Sequence, residues 1–157
     1  MTDMPKAGDP APDFTLETDT EGAIRLAELR GKRVVVYFYP KDNTPGCTME
    51  GIDFSALIDD FAAADTVVIG ISPDSVRKHA NFRAKKNLKI ILAADEDKEA
   101  IRAYGAWQQK SMFGKAYMGV VRSTFLIDRD GRIARVWPKV KVKGHAAEVL
   151  EAARQLD

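Results

Sequence analysis

Cys47 is the one cysteine among 157 residues, so any thiol chemistry in this sequence rests on it. It lies in Pro40-Lys41-Asp42-Asn43-Thr44-Pro45-Gly46-Cys47-Thr48-Met49-Glu50. Thr44-Pro45 reads as a helix start, with Thr44 at the N-cap and Pro45 at the first helical position. That register puts Cys47 in the first turn, where free N–H groups and the positive end of the helix dipole favour a thiolate. A free cysteine more often serves as a small buried hydrophobe. Here Thr44, Pro45 and Gly46 form a polar loop end with no apolar periodicity to bury the thiol, and the nucleophile reading is preferred.

The elements that must position this cysteine are legible on either side. Val34 to Tyr39 is a short apolar run rich in β-branched and aromatic residues, which predicts a central strand. Pro40 cannot donate to a ladder and stops it. A helix follows from Pro45 to about Ala64, with Phe54, Leu57, Ile58 and Phe61 at helical spacing. Thr66 to Ser72 predicts a second buried strand, and Asp74 to about Lys86 a helix with Val76, Ala80 and Ala84 inward. Lys89 to Ala93 reads as a strand and Lys98 to Tyr104 as a short helix. Arg122 to Asp128 and Arg132 to Trp137 form a hairpin around a turn-like Asp-Arg-Asp-Gly. The last helix, Gly144 to Leu156, turns Ala146, Val149, Leu150 and Ala153 to one side. Near the start, Phe14 to Leu16 and Ile24 to Leu26 are two short strands, and Leu26 to Arg30 one helical turn. Strands alternating with helices and ending in a hairpin indicate an α/β sandwich.

Composition excludes several classes. The length suits one domain, residues 1–157, with a core of ordinary size. A formal net charge of +1 leaves no basic stripe for nucleic acid. No stretch approaches the roughly 18 apolar residues of a membrane span. Residues 1–12 lack the apolar core of a signal peptide, and one cysteine allows no intrachain disulfide. These features point to the cytoplasm.

Pro40-x-x-x-Thr44-x-x-Cys47 resembles the PxxxTxxC motif of the peroxiredoxins. The longer string from Tyr39 to Glu50 is similar to their bacterioferritin-comigratory-protein, or peroxiredoxin Q, branch. The likeness continues in Ile71 to Asp74, Lys110 to Lys115, Gly119 to Asp128 and Lys139 to His145. It implies a thioredoxin-like fold, a central mixed sheet flanked by helices with an N-terminal β-hairpin. It also implies a peroxidase acting on hydrogen peroxide and organic hydroperoxides through a Cys47 sulfenic acid, without metal or organic cofactor. Pro40 would shield the thiolate from water, Arg122 would supply the cation beside the sulfur, and Glu50 would hold Arg122 by a charge-assisted hydrogen bond.

Magnitudes show what such a site requires. An ordinary cysteine is a few per cent thiolate at neutral pH, so full ionisation raises the reactive fraction by at most about 30-fold. It also makes each thiolate less nucleophilic. Anything faster needs donors aimed at the peroxide oxygens. The N–H groups near Gly46 and Cys47 are free of intrahelical partners, and the Thr44 hydroxyl can both donate and accept. Glu50 read alone is a favourable acid at a helix start, and Arg122 read alone a surface arginine.

The pattern departs from many relatives at Ile52, where the resemblance would place a resolving cysteine five residues after the first; residues 74–87 hold none either. A sulfenic acid on Cys47 would then be reduced by an external thiol, with thioredoxin, glutaredoxin and glutathione all chemically competent. A peroxide sensor or thiol-linked interaction protein using the same cysteine is the alternative, and an inert thioredoxin-like scaffold a third reading. His79 reads as an exposed helix residue and His145 as part of the last helix start, neither with a partner at metal-ligand spacing. Lys139, Lys141 and Lys143 alternate with Val as a solvated strand edge. Trp107, Phe113 and Tyr117 fall in a loop-like segment that lines the pocket or makes a weak dimer contact, so the expected state is a monomer or weak homodimer.

Overall fold

Six consecutive residues, Arg33–Phe38, form strand β3 and all are buried, as a strand covered on both faces must be. The structure is a computed structural model and describes residues 3–156. Ahead of β3 come β1 (Thr15–Thr18), β2 (Ala23–Arg25) and a 3-10 turn at Leu26–Leu29. After it follow α1 (Pro45–Ala56), α2 (Ile58–Ala63), β4 (Thr66–Ser72), α3 (Val76–Lys86), β5 (Ile91–Ala94) and α4 (Glu99–Ala103). The chain continues through β6 (Trp107–Met112), β7 (Lys115–Val120), β8 (Ser123–Ile127), β9 (Ile133–Trp137) and α5 (His145–Arg154).

The main sheet runs β2-β1-β5-β4-β3-β8-β9. β3, β4 and β5 are parallel, and β8, β9, β1 and β2 add antiparallel edges. This is the thioredoxin-like α/β arrangement, with the N-terminal hairpin at one edge. The two-residue period of β3 splits the core. Val34, Val36 and Phe38 face a cluster with Phe14, Ile101 and Tyr104. Val35, Tyr37 and Tyr39 face a second cluster with Phe54 of α1, Phe61 of α2, Phe82 of α3 and Val149 of α5.

Tyr37 ties the strand to the helix that bears Cys47. Its ring stacks on Phe54 at 4.7 Å between centroids. Gly70, its register partner on β4, leaves the room: a Cβ there would stand 2.7 Å from the Tyr37 ring.

Three expectations are corrected. The single helix from Pro45 to Ala64 is broken at Leu57, whose N–H bonds back to Phe54 and Ser55. The loop-like stretch around Phe113 is a two-stranded ribbon, β6 with β7, whose turn places Phe113 and Gly114 at positive φ. Its polar residues and bare tip hid the alternation expected of a strand. Residues 139–143 belong to neither sheet. Among the described residues, no helix is long and apolar enough to cross a membrane.

Candidate active site

Between β3 and α1 the chain makes a tight loop. Tyr39 N–H still donates to Ile71 O at 3.1 Å, and Pro40, half-buried, ends the ladder. Asn43 takes positive φ, which its side chain tolerates well. Thr44 has the extended backbone of an N-cap, but its side chain makes no capping bond. Its hydroxyl donates instead to Lys41 O at 2.7 Å. The proton is therefore spent, and the oxygen lone pairs remain for an incoming donor.

Cys47 sits in the first turn of α1, as its register predicts. It is nevertheless only 2% exposed, within the cluster that holds Tyr37, Tyr39 and Phe54. The expectation of an uncovered thiol is thus overturned. The cover comes from the sheet beneath α1 and from a guanidinium beside it, neither visible in local periodicity.

That guanidinium is Arg122, in the short link between β7 and β8. Nη2 donates to Cys47 Sγ at 3.3 Å, and Nη1 donates to Glu50 Oε1 at 2.6 Å. One planar fork serves both groups, which a lysine ammonium cannot reproduce. Gly46 lets it lie close: a Cβ there would stand 3.1 Å from Nη2. Cys47, Arg122 and Glu50, separated by up to 75 positions in sequence, are thus brought together.

Burial opposes the charge on Arg122, but Glu50 and Cys47 outweigh it and raise its pKa above the ordinary value. Glu50 is 1% exposed, and burial pushes its carboxyl up to about 7 against the pull of Arg122. The two shifts point opposite ways for one ion pair. Burial decides the balance: the cost of enclosing the Glu50 carboxyl exceeds the pull of a guanidinium that also serves the Cys47 sulfur. Glu50 Oε2, buried with no hydrogen-bond partner among the described residues, marks the same deficit.

Beside Arg122 opens a cleft of about 750 Å³, lined by Gln108 and Lys110 of β6 and by Val121, Pro138 and Val140. Lys110 Nζ donates to Val120 O at 2.9 Å. Desolvation and Arg122 lower its pKa, while Cys47 works against them.

A match to the AhpC/TSA family spans residues 7–136. The chain belongs to the AhpC/TSA family. Within this family it is 47% identical over 149 residues to Peroxiredoxin Bcp of Bacillus subtilis, covering 95% of each chain. It is 49% identical over 145 residues to a putative peroxiredoxin of Coxiella burnetii, covering 92% of this chain and 96% of that one. Peroxiredoxin Q of Xanthomonas campestris superposes with a TM-score of 0.88 at 41% identity, covering 94% of this chain and 96% of that one. A second structure of the Xanthomonas protein, with the same TM-score and identity and covering 94% and 97%, bears on its alkyl peroxide reduction activity. This AhpC/TSA member is therefore a Bcp/PrxQ peroxiredoxin, a thiol-dependent peroxidase.

Sequence reasoning missed a second buried polar group of this peroxiredoxin. His79, expected on the surface, is completely buried, and α3 turns His79 and Phe82 inward while Ala80 and Ala84 face out. The three-residue spacing of His79 and Phe82 was the available signal. His79 Nδ1 lies 2.7 Å from Asp42 Oδ2, and Asp74 is close enough that the three could reach one ion. Their atoms are instead bonded to one another and to the fold: Tyr39 OH donates to Asp42 at 2.6 Å, and Asp42 N–H and Ser72 OH donate to Asp74 at 2.8 and 2.7 Å. His145 begins α5 as expected, but it too is buried, with Nε2 2.8 Å from Thr124 Oγ1.

Proposed function

We propose that Cys47 is the peroxidatic nucleophile and that Thr44, Arg122, Glu50 and Pro40 form its site. The thiolate attacks the terminal oxygen of a hydroperoxide. A sulfur–oxygen bond forms, the O–O bond breaks, and the peroxide proton ends on the departing alkoxide or hydroxide, giving alcohol or water and a Cys47 sulfenate. Arg122 holds the sulfur and donates to the oxygens as charge develops on them. Thr44 accepts the peroxide O–H, and Pro40 keeps water from the sulfur. Glu50 fixes the guanidinium.

With one cysteine in the sequence, an external thiol then attacks the sulfenic sulfur. An S–S bond forms and water leaves; a second thiol releases reduced Cys47 and carries away the disulfide. Thioredoxin, glutaredoxin and glutathione fit this step, with hydrogen peroxide and organic hydroperoxides as oxidants. The chain acts as one cytoplasmic domain, as a monomer or weak homodimer.

The observation that carries this reading is the 3.3 Å contact of Arg122 with the Cys47 sulfur. Its test is peroxide consumption by the full chain with each thiol in turn, alongside Cys47→Ser. Consumption should vanish in the variant, and one oxygen atom should add to the unvaried chain when peroxide is given without thiol. Full turnover by Cys47→Ser would refute the assignment. Oxidation without turnover by any thiol would favour a peroxide sensor instead.

A further inference from the structure

The loop that leads into α1 is held from behind by groups that the peroxide chemistry does not use. Asp42, in the middle of that loop, meets His79 of α3 at 2.7 Å between Oδ2 and Nδ1. On the other side of the ring, Nε2 lies 3.0 Å from Ala93 O on β5. A backbone carbonyl can only accept, so Nε2 carries a proton. The opposite contact then needs a proton of its own, because a carboxylate and an imidazole lone pair repel at that distance. Either Nδ1 is protonated and Asp42 ionised, or Nδ1 is bare and Asp42 is the acid. In both cases the pair holds one proton more than a neutral histidine beside a carboxylate.

We propose that His79 and Asp42 share one buried proton, and that this proton latches the residues 40–44 loop to α3 in the geometry Cys47 needs. The neighbours fit the role. Tyr39 OH donates to the other oxygen of Asp42, and Asp42 N–H donates to Asp74, itself held by Ser72. Lys41 and Lys78 line the more open space beside Asp42 and Asp74, while Phe82 contributes only apolar surface. The pair itself is dry, since His79 and Asp42 have side chains 0% and 3% exposed. Loss of the proton sets two acceptors face to face, and the loop detaches. His79 and Asp42 are positioning residues: they touch neither sulfur nor peroxide.

The latch affects turnover only through the reading of Cys47 given above, so its first test is independent of activity. Proton and nitrogen NMR of the full chain at about pH 8, where a free histidine is neutral, should show a bridging proton at the Nδ1 of His79. His145, the only other histidine in the sequence, meets Thr124 and no carboxylate at its ring among the described residues, and serves as the internal contrast. The bridging signal should vanish in Asp42→Ala. A His79 with a bare Nδ1 and no bridging proton would overturn the proposal.

The second test is rescue. Asp42→Asn offers Nδ1 an amide N–H that does not titrate, while its carbonyl still accepts from Tyr39. Amide exchange across residues 42–44 should rise at least about tenfold in Asp42→Ala, and Cys47 oxidation should slow by roughly ten- to a hundredfold, as small displacements of a reacting group do. Asp42→Asn should restore most of both. Equal losses in both variants would overturn it. Should Cys47 prove unreactive, the bridging proton and the exchange rescue would still stand or fall by themselves.

Discussion

Arg122→Met separates what the guanidinium does for the reaction from what it does for the fold. Its Nη2 makes one charge-assisted bond to sulfur, a kind worth about 1.5–3 kcal/mol, and on the proposed mechanism it also meets the charge that develops on the peroxide. Removing a donor of this kind slows a reaction by roughly a hundred- to a thousandfold, so Cys47 oxidation by hydrogen peroxide, followed by stopped flow, should fall by about that much. The fold loses something different. Glu50 keeps its burial but not its cation, and its carboxyl, already raised to about 7, must rise further. At about pH 7 it can take up a proton cheaply, so the cost there is modest. Above that pH the folded variant holds a proton that the unfolded chain has released, and stability falls by about 1.4 kcal/mol per pH unit. In the unvaried chain Glu50 is ionised in both states above about 7, so this slope is absent. Urea unfolding at two alkaline pH values reads it directly. Adding Glu50→Gln to Arg122→Met should abolish the slope without restoring the rate. Recovery of the rate in the double variant would refute the reasoning, because Arg122 would then matter only through Glu50. A rate within threefold of the unvaried chain in Arg122→Met alone would refute it as well.

Gly46→Ala should press on the guanidinium, 3.1 Å from the new Cβ, and slow Cys47 oxidation several-fold with stability within about 0.5 kcal/mol; an unchanged rate would mean that Arg122 yields freely. Gly70→Ala should destabilise by about 1–3 kcal/mol through overpacking against Tyr37 at 2.7 Å, seen as a lower urea midpoint. Burial lowers the His145 pKa from 6.5 to about 4. Its neutral form therefore contributes stability above 6.5 that is lost as pH falls toward 4, about 2 kcal/mol after solvent screening. Glu50, raised from 4.5 to about 7, acts in the opposite sense over much of that window, since its stabilising acid form is lost as pH rises. Glu50→Gln should therefore uncover a loss of stability on acidification, measured by urea unfolding between about pH 6.5 and 4.

The parts of this molecule legible in its sequence are those set by short-range rules. β3 announced itself as an apolar β-branched run, and Thr44-Pro45 placed Cys47 in the first helical turn, where it lies. Arg122 and Glu50 came from resemblance, since nothing local in either residue tells of a partner 72 positions away. His79 was misread because a polar residue on a helix is ordinarily outside. Its burial depends on Asp42 and on a carbonyl of β5, which the fold alone brings together. The β6–β7 ribbon escaped for the opposite reason. Its exposed faces need no apolar alternation, and Phe113, 98% exposed, stands at a turn where a polar residue or glycine is usual.

Ile52, 44% exposed one turn beyond Cys47, occupies the place where the resemblance would put a second thiol. Under the role proposed for Cys47, its consequence is one of time. A partner thiol on the same chain acts at a fixed effective concentration, roughly millimolar or more, whatever the surroundings hold. Without one, the lifetime of oxidised Cys47 varies inversely with the thiol outside. A reductant at about 1 µM leaves the sulfur oxidised roughly a thousand times longer than the same reductant at about 1 mM, by simple second-order arithmetic. On that proposal the oxidised fraction settles at a ratio of two arrival rates, peroxide over thiol, and would report the balance of the surroundings rather than the level of either one.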